Sequence, residues 1–325
     1  MRNYLIIACL IFPFLASCSQ KQDYIKTEGM IWNTVYHITF KGPEELKDSI
    51  LPVLNEVDNS LSIFNEKSLV SRLNNSYQAE YDEHLKTVYD MSKRIHTLSD
   101  GRFDPTVAPL VDAWGFGRGH KITKDTLKID SILEFVGLGK TKRDGNLIIK
   151  EDIRTCFNFS AIAKGYGCDA VGKMFQRNGV TDYMIEIGGE VLLSGLSQSG
   201  EKWKIGIDTP EEGNNPGEKT VLILSITDAG IATSGNYRNY RKEGDKIIAH
   251  TISPKTGYPY VSDILSATII APSCMEADAI ATACLASTPQ EAKEFITASG
   301  VEGLLIFSDM KIWCSPGFDE YIYAE

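Results

Sequence analysis

The stretch Cys274 to Ser287, CMEADAIATACLAS, constrains this chain more than any other. It contains neither Gly nor Pro, and Ala279, Ile280, Ala281, Ala283, Leu285 and Ala286 are mostly good helix formers. Pro272 and Ser273 punctuate its start and Thr288-Pro289 its stop, so the spacing predicts one helix. Asp278 and Thr282 stand four residues apart and share a side of that helix, one turn above the other. Everything around them is small or apolar. A carboxylate and a hydroxyl stacked on an otherwise oily helix suggest two oxygen ligands for a hard cation such as Mg²⁺. The alternative is that Asp278 supports the helix N-terminus and Thr282 is merely tolerated. The helix on its own leaves both readings open.

The chain has 325 residues, 43% hydrophobic and 23% charged, which suits one large globular domain or two small ones. Its formal net charge of −10 argues against a nucleic-acid partner, which would need a basic surface. Anionic substrates stay open, because a bound cation can reverse the local field.

The N-terminus is separate business. Arg2 gives a positive start, and Leu5 to Leu15 is apolar but too short for a comfortable membrane span. It ends in Leu15-Ala16-Ser17-Cys18, which resembles a bacterial lipobox, with Cys18 as the lipidated first residue of the mature protein. Residues 1–18 are therefore expected to be a lipoprotein signal and 19–27 a polar tether, with the working domain over 28–325. Of seven cysteines, Cys9 leaves with the signal. Cys156, Cys168, Cys274, Cys284 and Cys314 are scattered without metal-ligand spacing, and buried free thiols are expected.

In chain order, WNTVYHITF (Trp32 to Phe40) alternates like a strand, and Glu44 to Leu61 carries apolar residues at helical spacing despite Pro52. A turn at Leu61 to Asn65 opens onto polar EKSLVSRLNN. His84 to Leu98 reads as an amphipathic helix bearing two exposed histidines, His84 and His96. In Gly101 to Gly117, Pro105 and Pro109 are expected to prevent a regular helix. A short helix follows at Thr126 to Val136, with His120 solvated before it, and a strand at Asn146 to Lys150. NFSAIAKGYGCD, Asn158 to Asp169, lets backbone approach a ligand closely, and Lys164 is a candidate anion contact or a plain exposed lysine. Gly188-Gly189 separates two strands as a bulge, a close approach to ligand or a hairpin turn. Trp203 to Asp208 and Thr220 to Thr227 read as paired strands, Gly230 to Tyr240 as a polar turn, Ile247 to Ile252 as a strand bearing His250, and Ser266 to Ala271 as an apolar strand. Gly303 to Cys314 closes as a hairpin. Hairpin-like pairs without strict alternation predict an α+β fold with mixed, largely antiparallel sheets and packed helices. No GxGxxG follows the first strand, so a Rossmann-type dinucleotide fold is not indicated.

Six segments in order give the chain a resemblance. They are FDPTVAPLVDAWGFG (Phe103 to Gly117), SAIAKGY (Ser160 to Tyr166), EIGGE (Glu186 to Glu190), ATSGNYRNY (Ala232 to Tyr240), HTISPKTGYP (His250 to Pro259) and EADAIATA (Glu276 to Ala283). Together they resemble the ApbE-type flavin transferases, the FAD:protein FMN transferases. The resemblance implies a fold related to the tunnelling fold, with FAD in a cleft beside Mg²⁺. It also implies a reaction that splits FAD at its pyrophosphate, esterifies FMN to a threonine of another protein and releases AMP. By the same resemblance Asp278, Thr282 and the Ala161 carbonyl are the metal ligands. FAD is expected to touch Trp32, the turn Ile63, Phe64 and Asn65, Asp104, Lys164 and the backbone near Ile252. Asp104 could accept hydrogen bonds from adenine or ribose, and Trp32 and Phe64 could pack on a flat ring. His250 is the candidate to take the threonine proton, or else a strand histidine satisfied by a neighbour.

The expected partners are threonine-bearing acceptor domains of exported or membrane redox proteins. The expected location is the periplasmic side of the inner membrane, through the lipid on Cys18. The sequence departs from the family pattern at Trp32-Asn33-Thr34, at Asn158 to Ala161 and at Ser253, which touches flavin packing and the hold on the acceptor rather than the metal helix. Two other activities share these residues: an FAD pyrophosphatase in which water replaces the acceptor, and a non-enzymatic flavin-binding lipoprotein.

Overall fold

In the computed structural model, which describes residues 23–117, 126–211, 213, 217–236, 240–243, 246–249 and 251–324, the chain opens with a hairpin, β1 (Tyr24–Ile31) and β2 (Thr34–Lys41). It continues through α1 (Lys47–Leu61), α2 (Leu69–Asn74), β3 (Gln78–Glu80), α3 (Glu83–Leu98), α4 (Ala108–Ala113) and α5 (Thr126–Leu133). Then come β4 (Thr141–Asp144), β5 (Leu147–Lys150), α6 (Ala163–Arg177), β6 (Tyr183–Ile187), β7 (Glu190–Ser194), β8 (Trp203–Asp208) and β9 (Thr220–Ile226). The last part holds β10 (Ala229–Gly235), β11 (Tyr240–Glu243), β12 (Lys246–Ala249), β13 (Ile264–Ala271), α7 (Cys274–Leu285), α8 (Pro289–Ser299), β14 (Glu302–Phe307) and β15 (Ile312–Cys314).

Eight strands form the main sheet in the order β1-β2-β6-β7-β10-β13-β14-β15, and every adjacent pair is antiparallel. Smaller sheets are β3-β5-β4, β8-β9 and β11-β12. This is the α+β, largely antiparallel architecture that the hairpin-like pairs predict. The main sheet is covered on both faces. On β13, Ile269 enters the core beneath the helices with Ile280, Phe295 and Ile296, whereas Ile270 joins Trp203, Leu224 and Phe318 under the β8-β9 hairpin. Two-sided burial is why β13 and β14 carry the unbroken apolar stretches Ile269 to Ala271 and Leu304 to Phe307.

α1 buries Ile50, Leu54, Val57 and Leu61. That stripe, worth about 1.5–3 kcal/mol per side chain, outweighs the roughly 3 kcal/mol that Pro52 costs inside the helix. α7 is buried on all sides: eleven of its twelve residues have no solvent face. It packs against β10, β13, α3, α6 and α8, and its alanines let those neighbours come close. Ser273 caps it, accepting the Glu276 N–H at 3.2 Å.

Several local expectations need correcting. WNTVYHITF is not one strand, because Trp32 and Asn33, at φ 49° and 60°, form the two-residue turn between β1 and β2. Tyr24 to Thr27, expected in the tether, belong to β1 and pair with Ile38 to Lys41. EKSLVSRLNN contains α2, capped by Ser68, which accepts the Ser71 N–H at 3.0 Å. α4 forms despite Pro109, which stands in the first turn, where no N–H is needed, and Pro105 lies before it. Neither His84 nor His96 is exposed: His84 Nδ1 meets the Tyr166 hydroxyl at 2.8 Å and His96 Nδ1 meets the Phe103 carbonyl at 3.0 Å. Gly230 to Gly235 is not a turn but strand β10 in mid-sheet. Its small residues imitate a turn because α7 begins against it; a Cβ on Gly230 would stand 2.2 Å from the Cys274 nitrogen. Cys18, His120 and His250 lie outside the described residues. Cys156, Cys168, Cys274, Cys284 and Cys314 are free thiols, three of them buried, as expected.

Candidate active site

α6 and α7 meet near their N-terminal ends, closer than two side chains would allow. Gly165 permits it: a Cβ there would stand 2.4 Å from the Cys274 carbonyl oxygen and 2.9 Å from Asp278 Cβ. The Gly165 N–H donates to Asp278 Oδ2 at 3.1 Å. Gly165 is the third residue of α6, where an N–H has no acceptor within the helix, and Asp278 supplies one. Asp169, one turn further along α6, accepts the N–H groups of Cys274 and Met275, both at 2.9 Å, and so fastens the start of α7. Burial pushes the Asp169 carboxyl up to about 7 against the pull of those two donors.

Asp278 is 2% exposed. Burial raises its carboxyl above the usual range, opposed by the Lys164 charge and the Gly165 N–H. Thr282 follows one turn on, its hydroxyl 3.4 Å from Ser234 Oγ of β10. Lys164, in the first turn of α6, forms an ion pair with Glu190, the first residue of β7. Burial works to lower the Lys164 ammonium, but the carboxylates of Asp278 and Glu190 outweigh it and hold it above the usual lysine range. Burial pushes Glu190 up to about 8, against the opposing Lys164 charge. The second Glu190 oxygen, Oε2, is buried without a hydrogen-bond partner. Gly188-Gly189 is the hairpin turn between β6 and β7. Gly188, at φ 62°, brings that turn down onto the lysine; a Cβ there would meet Thr34 Oγ1 at 2.8 Å and Lys164 Cδ at 3.4 Å.

Lys164, Gly188, Glu190, Ser234, Asp278 and Thr282 line a cavity of about 1400 Å³. The predicted residues Ile63, Phe64, Asp104, Ala161, Lys164, Ile252, Asp278 and Thr282 all line it as well. Asn65 and Trp32 are not among the lining residues. The Asn65 amide donates to Asp58 and Asn59, each at 3.0 Å, and its oxygen accepts the Lys67 N–H at 3.1 Å, so it fastens the turn that presents Phe64. The Trp32 ring packs over Gly167, where a Cβ would meet it at 2.6 Å, and against the core beneath β2. Asp104 lines the cavity, but its carboxylate is already engaged. Oδ1 accepts the Thr106 N–H at 2.8 Å and the Thr106 hydroxyl at 2.6 Å, and Oδ2 accepts the Leu138 N–H at 2.9 Å. It latches its own loop to Leu138, which sequence reading did not foresee. Glu190 and Ser234 also line the cavity and were not among the expected residues. The available signal for Glu190 was an acid directly after a glycine pair, opening the apolar run VLL.

Among the described residues, no group of three His, Cys, Asp or Glu side chains clusters as a metal site. Magnesium needs less, since one or two carboxylates suffice when water and substrate phosphate complete its shell. Asp278, the Thr282 hydroxyl and the Ala161 carbonyl are hard oxygen donors of that kind. Burial raises both the Asp278 and Glu190 carboxyls, which stand beside one lysine, and Glu190 Oε2 has no partner. A cation would favour the ionised form of these acids, and the oxygen donors present fit a divalent ion.

A sequence profile described as "ApbE family" matches residues 32–305. An FAD:protein FMN transferase of Vibrio cholerae serotype O1 is 31% identical, the match spanning 99% of this chain and 97% of that protein. One of Escherichia coli K12 is 29% identical over 96% of this chain and 95% of the relative. The solved structure of "Flavin Transferase ApbE from Vibrio cholerae" superposes with a TM-score of 0.82 at 30% identity, covering 92% of this chain and 99% of that one.

Proposed function

The chain belongs to the ApbE family, and from that premise we propose that it is an FAD:protein FMN transferase. FAD is the substrate. The bond between its two phosphates breaks, a new bond forms from a threonine oxygen of an acceptor protein to the FMN phosphorus, and AMP leaves with the bridging oxygen and its electron pair. The observation that carries this reading is the cluster of Lys164, Glu190, Asp278 and Thr282 on the wall of one large cavity. A volume of about 1400 Å³ exceeds the roughly 300–1,000 Å³ of common small-molecule pockets and leaves room for a dinucleotide.

Ala161, Asp278 and Thr282 would hold Mg²⁺, which when bound supplies charge neutralisation at the phosphate oxygens. The chain's own residues do the rest. Lys164 stays protonated across neutral pH and faces the diphosphate with a fixed positive charge. Phe64, 70% exposed at the cavity wall, offers a ring face to a flat heterocycle. Gly165 holds Asp278 by its N–H and keeps the carboxylate from turning away. His250 is the candidate to receive the threonine proton.

The acceptor is a threonine-bearing domain of an exported or membrane redox protein. The enzyme is anchored through lipid on Cys18 at the periplasmic face of the inner membrane. No helix among the described residues is long and apolar enough to cross a membrane. Incubating the chain with FAD, Mg²⁺ and a competent acceptor domain tests the reading. Intact-mass analysis should find one FMN on a threonine and equimolar AMP in solution. Unmodified acceptor beside unconsumed FAD rejects it, and free FMN at the same rate with or without acceptor replaces it by a pyrophosphatase.

A further inference from the structure

We propose that Glu190 is a positioning residue that works through Lys164, holding the ammonium at the Asp278 and Thr282 end of the cleft before any phosphate arrives. The inference rests on the FAD-cleaving reading of this site. A lysine is a compact charge on a flexible stem, and ordering it costs about 1.5–2 kcal/mol of rotamer freedom. Here the ordering is done in advance and from three sides. The stem starts in the first turn of α6, the β6-β7 turn closes on it at Gly188, and its head rests on Glu190. Glu190 is itself fixed, being 4% exposed at the start of a strand paired on both edges.

Stability does not account for the pair. A buried ion pair gains little over apolar packing even when every oxygen is satisfied, and Glu190 Oε2 is not. Preorganisation does account for it, because a charge already aimed where negative charge develops requires no rearrangement as the bond breaks. Glu190 also tempers the site. It offsets the lysine charge in the ground state, so removing its charge leaves the resting diphosphate held at least as tightly.

The test assays full-length chains in detergent for AMP release from FAD with Mg²⁺ and acceptor, with thermal melting in parallel. Glu190→Gln should lower kcat about ten- to hundredfold while the KM for FAD stays level or falls. Glu190→Asp, which keeps the charge on a shorter stem, should recover part of the loss. In a Lys164→Met background, Glu190→Gln should change kcat by less than about twofold. An equal loss of kcat in both backgrounds overturns the proposal, since Glu190 would then act on substrate directly. A raised KM with a large fall in melting temperature overturns it in favour of a supporting role, and wild-type turnover of Glu190→Gln leaves it no role. Absence of AMP from the wild type itself overturns the FAD-cleaving reading and takes this inference with it, whereas the other failures leave that reading standing.

Discussion

The cleft has two walls built on different principles. The wall of α6, α7, β7 and β10 is set by backbone approaching backbone, at Gly165 against Cys274 and at Gly230 against the start of α7. Its polar groups are buried and fastened to one another. The facing wall, α4, α5 and the turn after Gly257, has its own small core of Leu110, Ile129, Ile132, Phe135, Val136 and Ile252. It is tied by exchangeable side-chain contacts: Trp114 Nε1 donates to the Gly257 carbonyl at 2.7 Å, and the Trp114 and Tyr258 rings lie 5.6 Å apart. Charge chemistry sits where backbone fixes position most tightly, and the surfaces suited to gripping rings sit where small adjustments cost little.

The contrast breaks first at Asp278. Asp278→Ala should cut FAD-dependent AMP release by at least about a thousandfold. Its melting temperature should fall by only a few degrees, because the loss is one N–H partner of about 1–3 kcal/mol offset by removal of a buried carboxylate. Loss of the folded state would show that the residue serves structure and that the two walls do not differ in the way described.

Gly165→Ala probes the same wall through packing. A methyl group 2.4 Å from the Cys274 carbonyl must push α6 and α7 apart, so urea unfolding should show a loss of about 1–3 kcal/mol and activity should fall with it. Unchanged stability would mean the crossing yields easily.

Away from the α6-α7 wall, at the Phe64 turn after α1 and on the α4-α5 wall, effects should be smaller and should fall on binding. Phe64→Ala should raise the KM for FAD by up to about tenfold, leave kcat within about twofold and leave unfolding unchanged. Trp114→Phe, which deletes the bond to Gly257, should cost about 1 kcal/mol in denaturant and raise KM slightly. A collapse of kcat in either variant would contradict the division between the walls.

The smallest expected effect concerns pH. Glu291 is held below the usual carboxylate range first by the Thr288 N–H, then by the Thr288 hydroxyl and Arg102, a cavity-lining residue. A lowered carboxyl stabilises the fold above its unfolded value near 4.5 and loses that contribution as pH falls through the lowered folded value. The pair is partly exposed and screened, so Glu291→Gln should cost no more than about 0.5–1 kcal/mol at pH 7 and progressively less as pH falls below the usual carboxylate range. Urea melts at neutral and acid pH measure it.

Much of the site was legible because local pattern suffices for it. The i, i+4 spacing of Asp278 and Thr282 follows from helical period alone, and a hairpin turn was among the readings of the glycine pair before Glu190. Strand β10 was misread because Gly230, Thr233, Ser234 and Gly235 have turn chemistry, and only the neighbouring α7 explains why small residues sit in mid-sheet. Asp104 was expected to meet a nucleotide, yet its partners, Thr106 and Leu138, come together through the folded loop. The Trp32 ring looked free for a flavin until the hairpin turn laid it over Gly167.

By itself the sequence determined the elements whose cause is local: a helix over Cys274 to Leu285 carrying two oxygens and starting at Ser273, and strands that pair as hairpins. The tertiary structure decided which charges meet. Lys164 and Glu190 are twenty-six positions apart and Gly165 and Asp278 more than a hundred, and no periodicity encodes such distances. Burial then sets their protonation, because the cost of a charge depends on what surrounds it in space and not on its neighbours along the chain.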